Sequence, residues 1–423
     1  MIPLHSGPVA RILRATGLAS LLLVLVPLAT GAGVPSTEMV ASGDRPLRTL
    51  VGQATAVVVA DVARSESYDE DRLRVYKLHV LRVVRGRVDA PEPGIVEVRG
   101  AASRGPLVGD GERVVVLLRP ATAVTYLTQH LPGGEYLEAV GGRDGIVPVG
   151  SDAEAQLTER ILGETGDDAD TVRRVAALEL ASGNPRLAAD ALAELKRAEP
   201  FRPLSPSDVE ALGKALADRR IAPTVRAGLM ALVAERHAVE AGPALAKAST
   251  DTPALLDALL AARADLGLAS REQLAPQLTA KDPAVRAAAV RALARLDQPG
   301  TIAEVGQYAT SDPDVGVRQA AIDALGATKR TEAVPILRKT FDAPETVILQ
   351  HSAQAMLEIG GPAVDDALVD LALHGVSPQV RRYATMLLVI QHGRDAEPVR
   401  RIERSNPGPE VRDFLEHGLQ KPD

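Results

Sequence analysis

The chain has 423 residues, 46% of them apolar and only 2% aromatic, with no Trp, which excludes wholesale disorder, allows two or three domains and leaves Ala, Leu and Val to fill the core. A net charge of −7 without any basic block argues against a nucleic-acid partner, because phosphate binding draws its affinity from clustered Lys and Arg. The absence of cysteine excludes disulfides, thiolate metal sites, thiol nucleophiles and lipoprotein acylation.

At the N-terminus, Arg11 and Arg14 precede an apolar run from Leu18 to Ala29 that contains Pro27 and is followed by Thr30, Gly31 and Ala32. The run is shorter than the roughly 20 apolar residues that span a bilayer, so it predicts a signal peptide over residues 1–32 and export to the periplasm or medium. Residues 33–44 read as a linker, and the mature chain is expected to carry no integral membrane span. From residue 45 to 150 the texture is β-like. After a short helix over Leu47 to Ala54, strands are expected at Thr55–Val62, Leu73–Val84, Gly94–Val98, Arg113–Arg119, Tyr136–Val140 and Gly145–Val149. Pro91–Gly94, Gly109–Gly111, Pro132–Gly134 and Gly141–Gly142 supply the turns. Short strands at this spacing predict a small antiparallel barrel or sandwich, taken as a β-barrel-like domain.

The order "Ala-Val-Val-Val-Ala-Asp-Val" (56–62), "Val-Leu-Arg-Val-Val-Arg-Gly" (80–86) and "Val-Gly-Asp-Gly-Glu-Arg-Val-Val-Val-Leu-Leu" (108–118) resembles bacterial modules related to the OB-fold and to the netrin-like domain of tissue metalloproteinase inhibitors. "Tyr-Leu-Glu-Ala-Val-Gly-Gly-Arg-Asp-Gly" (136–145) completes the resemblance. Those inhibitors chelate a protease zinc through an N-terminal cysteine. With no cysteine in this chain, the resemblance implies the fold without that activity.

From Ala153 onward the periodicity is helical. Ala153–Leu162, Thr171–Leu180 and Pro185–Ala198 read as divergent capping helices of a solenoid over residues 151–204, and regular repeats fill 205–423. One stripe recurs every 30 to 32 residues: Val225, Leu255, Val285, Val317, Leu349, Val380 and Val411. Four residues on come Leu229, Leu259, Ala289, Ala321, Ala353, Ala384 and Leu415; eight on come Val233, Arg263, Leu293, Leu325, Leu357, Leu388 and Leu419. Spacing of i, i+4, i+8 places each triplet on one helix face, and the repeat period means stacked helix pairs.

Thr252-Pro253, Asp282-Pro283, Asp312-Pro313 and Ser377-Pro378 announce the long helices, since a side-chain oxygen caps free N–H groups and proline suits the first helical position. Pro243, Pro276, Pro335 and Pro398 are expected in or near the first turns of the short helices between them. "Asp-Pro-Ala-Val-Arg-Ala-Ala-Ala-Val-Arg-Ala-Leu" (282–293), the run from Asp312 to Gly326 and "Ser-Pro-Gln-Val-Arg-Arg-Tyr-Ala" (377–384) resemble the HEAT-like repeats of the phycobilin lyase and armadillo-type superfamily. The resemblance implies an α-solenoid. It is nearly silent on function, because that superfamily includes scaffolds, lyases, hydroxylases and glycosylases.

The arginine column Arg226, Arg286, Arg318, Arg381 and Arg412, interrupted by Leu256 and Gln350, reads as repeat architecture together with Asp282, Asp312, Pro283, Pro313 and Pro378. The resemblance implies that such arginines bond loop acids of their own and adjacent units. His374, His392 and His417 each precede a glycine that is expected to end a helix in the left-handed conformation. No His-Glu pair of the di-iron hydroxylase type occurs, the acidic clusters Asp69–Asp71 and Asp167–Asp170 lack the EF-hand glycine and glutamate, and no nucleophile, phosphate-loop or dinucleotide motif is present. No catalytic, cofactor or metal residue is assigned. The expectation is an exported protein-binding scaffold without enzymatic chemistry, the alternative being an enzyme of the HEAT-like lyase or hydroxylase type. Export predicts cleavage between about residues 29 and 35, which N-terminal sequencing of the exported protein checks; an intact Met1 in the membrane fraction would show an anchor instead.

Overall fold

The computed structural model describes residues 45–418 except 69, 71, 91, 99–107, 123–126, 128, 132–135, 165, 199–202 and 297. The expected signal peptide (1–32) and linker (33–44), the turn at Pro132–Gly134, Asp69, Asp71 and Leu419 lie outside the described residues. The described residues form two compact units divided between Leu266 and Gly267.

The first unit opens with helix α1 (Leu47–Val51) and six strands: β1 (Ala56–Tyr68), β2 (Leu73–Gly86), β3 (Gly94–Val98), β4 (Arg113–Pro120), β5 (Tyr136–Ala139) and β6 (Ile146–Pro148). β1 pairs antiparallel with β2, β2 with β3, β4 with β5 and β4 with β6, and β3 with β5 is the parallel pair. Residues Ala56–Asp61 of β1 also pair with β4, so the pairings run β1-β2-β3-β5-β4 and return to β1. Register shifts at Val57/Val58, Val59/Ala60 and Val62/Arg64 bend β1 enough to serve both neighbours. Gly86 ends β2 at φ +75°, where a Cβ would lie 1.9 Å from the Thr55 carbonyl oxygen.

The continuous apolar run of β1 has a specific cause, which is that both faces are buried. Ala56, Val58, Ala60 and Val62 face Tyr76, Leu78, Ile95 and Ile146. The alternate residues Val57 and Val59, with Val115 and Leu117 of β4, join a different cluster formed with Leu47, Leu50, Ile161, Val175 and Leu187. Those last three belong to the helices that follow, α2 (Asp152–Gly163), α3 (Ala169–Ala181) and α4 (Pro185–Arg197). A domain edge expected at residue 150 therefore carries a core shared by sheet and helices. The unit ends with α5 (Pro206–Ala217), α6 (Pro223–Glu235), α7 (Gly242–Ala246) and α8 (Pro253–Asp265).

The second unit alternates short and long helices: α9 (Arg271–Leu278), α10 (Pro283–Arg295), α11 (Thr301–Ser311), α12 (Val315–Ala327), α13 (Val334–Thr340) and α14 (Thr346–Ile359). It continues with α15 (Pro362–His374), α16 (Pro378–His392), α17 (Glu397–Arg404) and α18 (Pro409–His417). An antiparallel-rich sheet followed by a run of helices is the fold class that the sequence predicts. The i, i+4, i+8 stripe is buried through Val317, Ala321 and Leu325, and through Val380, Ala384 and Leu388, whereas Val285 and Leu357 are only half-buried. Adjacent long helices approach closely where side chains are small; at Gly326 of α12 an added Cβ would come 2.7 Å from the Ala355 Cα.

Caps agree at three of four expected starts: Thr252 accepts from Leu255 N–H, Asp282 from Ala284 N–H and Ser377 from Val380 N–H. The fourth expectation is corrected. α12 begins at Val315, capped by Asp314, whose carboxylate accepts from Val317 N–H, and Pro313 lies outside the helix. Two additional residues separate Asp312 from its arginine, so Asp314 stands four residues before Arg318 as Asp282 does before Arg286, leaving Asp312 for another role. Pro276 also departs from expectation, lying inside α9 and not in its first turn. Leu325→Asp is expected to unfold the second unit at a cost of about 4 kcal/mol or more, because Leu325 is fully buried and no partner awaits a carboxylate there. Exposed Gln379→Ala should stay within about 0.5 kcal/mol in the same urea titration.

Candidate functional site

Each column arginine sits one turn into a long helix, and its guanidinium reaches in two directions. Backward, it bonds the loop before its own helix: Arg226 Nε donates to Ile221 O at 3.0 Å, Arg286 Nη1 to Ala280 O at 2.9 Å, Arg318 Nη1 to Asp312 O at 2.8 Å and Arg381 Nη1 to Gly375 O at 2.7 Å. Forward, it meets an acid at the start of the next long helix. Arg226 pairs with Asp251 at 3.1 Å, Arg286 holds both oxygens of Asp312 at 2.9 Å, Arg318 pairs with Glu345 and Arg381 with Glu410. Arg412 differs: it is exposed, and its side chain bonds Asn406 Oδ1 at 3.3 Å.

Asp312 is therefore a forward acceptor rather than a helix cap. Burial pushes its carboxyl up, but the hydrogen bonds from Arg286 and from Asp314 N–H outweigh this and hold it below the ordinary carboxylate value. Asp251 is held low chiefly by its hydrogen bond from Arg226. These guanidiniums have their donors committed to the repeat framework, and a ligand would have to displace a paired acid to use them. Beside Arg318 the loops open into a polar pocket of roughly 380 Å³ lined by Thr310, Lys339, Asp342 and Glu345.

The histidine expectation is corrected. Only Gly393 has a positive φ, +86° with ψ 164°, outside the left-handed helical region; Gly375 (φ −56°) and Gly418 (φ −89°) are ordinary backbone. His392 instead pairs with Asp365 at 2.8 Å, and His351 with Asp323 at 2.6 Å, linking neighbouring helices. The cluster at Asp167–Asp170 divides its work: Asp168 caps α3 by accepting from Asp170 and Thr171 N–H, and Asp167 pairs with Arg48. Among the described residues no three His, Cys, Asp or Glu side chains stand where they could hold a metal ion.

Sequence reasoning missed a buried charge cluster in the first unit. Arg186, Asp190 and Glu194 recur at i, i+4, i+8 on α4, a pattern that reads as a solvated stripe, yet all three are buried together with Glu179 of α3. Asp190 accepts Leu47 N–H through both oxygens at 2.9 and 3.1 Å, capping α1, which has no side-chain cap of its own. Arg186 binds Asp190 at 3.1 Å and the Asp144 carbonyl at 2.8 Å, and Arg48 binds Glu194 at 3.0 Å. Two cations thus face three acids, and Glu179 has no cation of its own. Burial first, and then the adjacent Asp190 carboxylate, push Glu179 well above the ordinary carboxylate value.

Residues 271–356 and 302–389 match the sequence family of HEAT repeats, and this stretch of the second unit is HEAT-like in its helix pairs. No curated protein matches the chain.

Two measurements follow from this geometry. Replacing Asp312 by Ala, or Arg286 by Leu, should each cost about 2 to 4 kcal/mol with a double-mutant coupling above about 1 kcal/mol, since either change strands a largely buried charge. For Glu179 the folded pKa is raised, so the native state binds the extra proton. Its stabilising contribution is complete below the ordinary value of 4.5 and is lost as pH rises toward the folded pKa, by up to about 1.4 kcal/mol per pH unit. Glu179→Gln should flatten that decline in urea titrations from pH 4.5 to 8.

Proposed function

We propose that this protein is an exported, non-enzymatic scaffold that binds another protein along its helical-repeat surface. The observation that carries the reading is the HEAT-repeat match over residues 271–389, because repeats of this type often serve protein interaction. The arginine-to-acid pairs give it a mechanism. In the second unit they fix α10 to α12, α12 to α14 and α16 to α18, so the exposed faces bearing Asp323, Gln354, Glu358 and Arg382 are held in place before a partner arrives, which limits the entropy lost on binding. Recognition then rests on shape and on mixed charge.

The N-terminal sheet fits the same reading as an accessory OB-like module. Its support is the pairing sequence that returns to β1, with one face of β1 and β4 filling the interior. Export rests on the Arg11, Arg14 and Leu18–Ala29 pattern of residues 1–32. Among the described residues no helix is long and apolar enough to cross a membrane.

The test is a photo-crosslinking side chain placed at exposed Gln354 or Arg382, and separately at exposed Arg85 or Arg87 of the β-region, in cells expressing the full chain. Discrete protein adducts from the helical positions, and at least tenfold fewer from the β-region, are expected. Adducts from the β-region alone would overturn the reading and make the repeats a spacer.

A further inference from the structure

One junction in the second unit departs from the others. From α10 to α12, from α12 to α14 and from α16 to α18 a column arginine reaches an acid at the start of the next long helix: Arg286 to Asp312, Arg318 to Glu345 and Arg381 to Glu410. Between α14 and α16 the register puts Gln350 in the arginine's place. The acid's place is changed as well. Asp251 and Glu345 stand four residues before the column positions Leu255 and Leu349, and the residue four before Val380 is Val376. Neither Gln350 nor Val376 carries a charge, so the ion pair cannot form. Val376 is 65% exposed, the most exposed of the large apolar side chains among the described residues.

Packing breaks at the same place. α10 lies on α12, α12 on α14 and α16 on α18, but α14 and α16 make almost no direct contact. The α12–α14 seam is tied by Arg318–Glu345, by His351–Asp323 and by the close approach of Gly326 to the Ala355 Cα. Leu357, third in the stripe of α14, is only half-buried, whereas Leu325 and Leu388 at the same position of α12 and α16 are fully buried. The two sides are joined through α15, which packs on α13 and on α16, with Arg338 of α13 paired to Asp370 of α15.

The chain crosses this junction at Gly360-Gly361, between α14 and Pro362 of α15. Gly360 has φ +64° and ψ −175°, and Gly361 φ +82° and ψ 178°, a combination open essentially to glycine alone. A Cβ added at Gly361 would meet nothing within 4 Å, so no neighbour wedges the joint.

We propose that the second unit bends here. Helices α15–α18 turn as one body against α9–α14, about Gly360-Gly361 and the Arg338–Asp370 contact, because α14 and α16 lack the tie that locks the other long helices. Each side keeps its own shape: His392–Asp365, Arg401–Asp366 and Arg381–Glu410 bind α15, α16, α17 and α18 to one another. Gln354 and Glu358 lie on one side of the joint and Arg382 on the other. A partner touching all three would set the angle, a consequence that rests on the scaffold reading, whereas the hinge itself does not.

The absence of native cysteine allows spin labels to be placed cleanly in the full chain. Labels on Ala327→Cys and Glu403→Cys, both exposed, span the joint, and labels on exposed Ala275→Cys and Gln354→Cys lie on one side of it. Double electron–electron resonance should give a distance distribution about twice as broad across the joint as within one side. Gln350→Arg together with Val376→Glu rebuilds the missing pair and should bring the broad distribution close to the control width, while either substitution alone leaves it broad. Equal widths in the parent chain would overturn the proposal, and so would a folded double variant whose cross-joint distribution stays as broad as the parent's. Should the double variant fail to fold, the parent's two widths decide.

Discussion

A guanidinium withdrawn from water must be paired, and that requirement organises the helical part of this molecule. Arg226 is only 1% exposed, and Arg286, Arg318 and Arg381 are largely covered. Each satisfies itself with a carbonyl of its own loop and an acid of the next unit, so a single side chain sets both the entry of its helix and the distance to the following one. Apolar burial holds helices together but slides easily; the fork does not. Leu256 and Gln350 interrupt the arginine column.

A comparable constraint works at the other end of the first unit. Asp190 is placed by α4 yet acts on α1, more than a hundred residues away, by accepting the backbone N–H of Leu47. The cost of burying that carboxylate is offset by the bonds it accepts from Arg186 and from Leu47 N–H. This polar knot lies beside the apolar cluster that unites Val57, Val59, Val115 and Leu117 of the sheet with Ile161, Val175 and Leu187 of the helices. Sheet and first helices are for that reason one cooperative body.

On the helical repeats the column arginines Arg226, Arg286, Arg318 and Arg381 are already consumed by internal pairs. A core built of alanine and leucine lets helices approach closely at Gly326 and leaves space where alanines meet a floor of leucines.

Much of this was legible in the chain itself. Period-2 and period-3.6 patterning is local, so β3 at Gly94–Val98, β4, α4 and most long helices fall within a residue or two of where periodicity puts them, and the HEAT-like repeat is visible from the recurrence of Val-Arg with its alanines. What depends on distant partners was not legible. Asp312 looked like a cap because Asp-Pro before a helix usually is one, and only the position of Arg286 made it a bridge while Asp314 took the cap. Arg186, Asp190 and Glu194 have the spacing of a wet face, and only the packing of α1 and α3 over α4 removed the water. The sequence by itself determined the elements and their period, because these follow from neighbours along one helix or strand. The tertiary structure alone decided which charges are buried and paired and where a cavity remains, because these depend on atoms brought together from positions tens to more than a hundred residues apart.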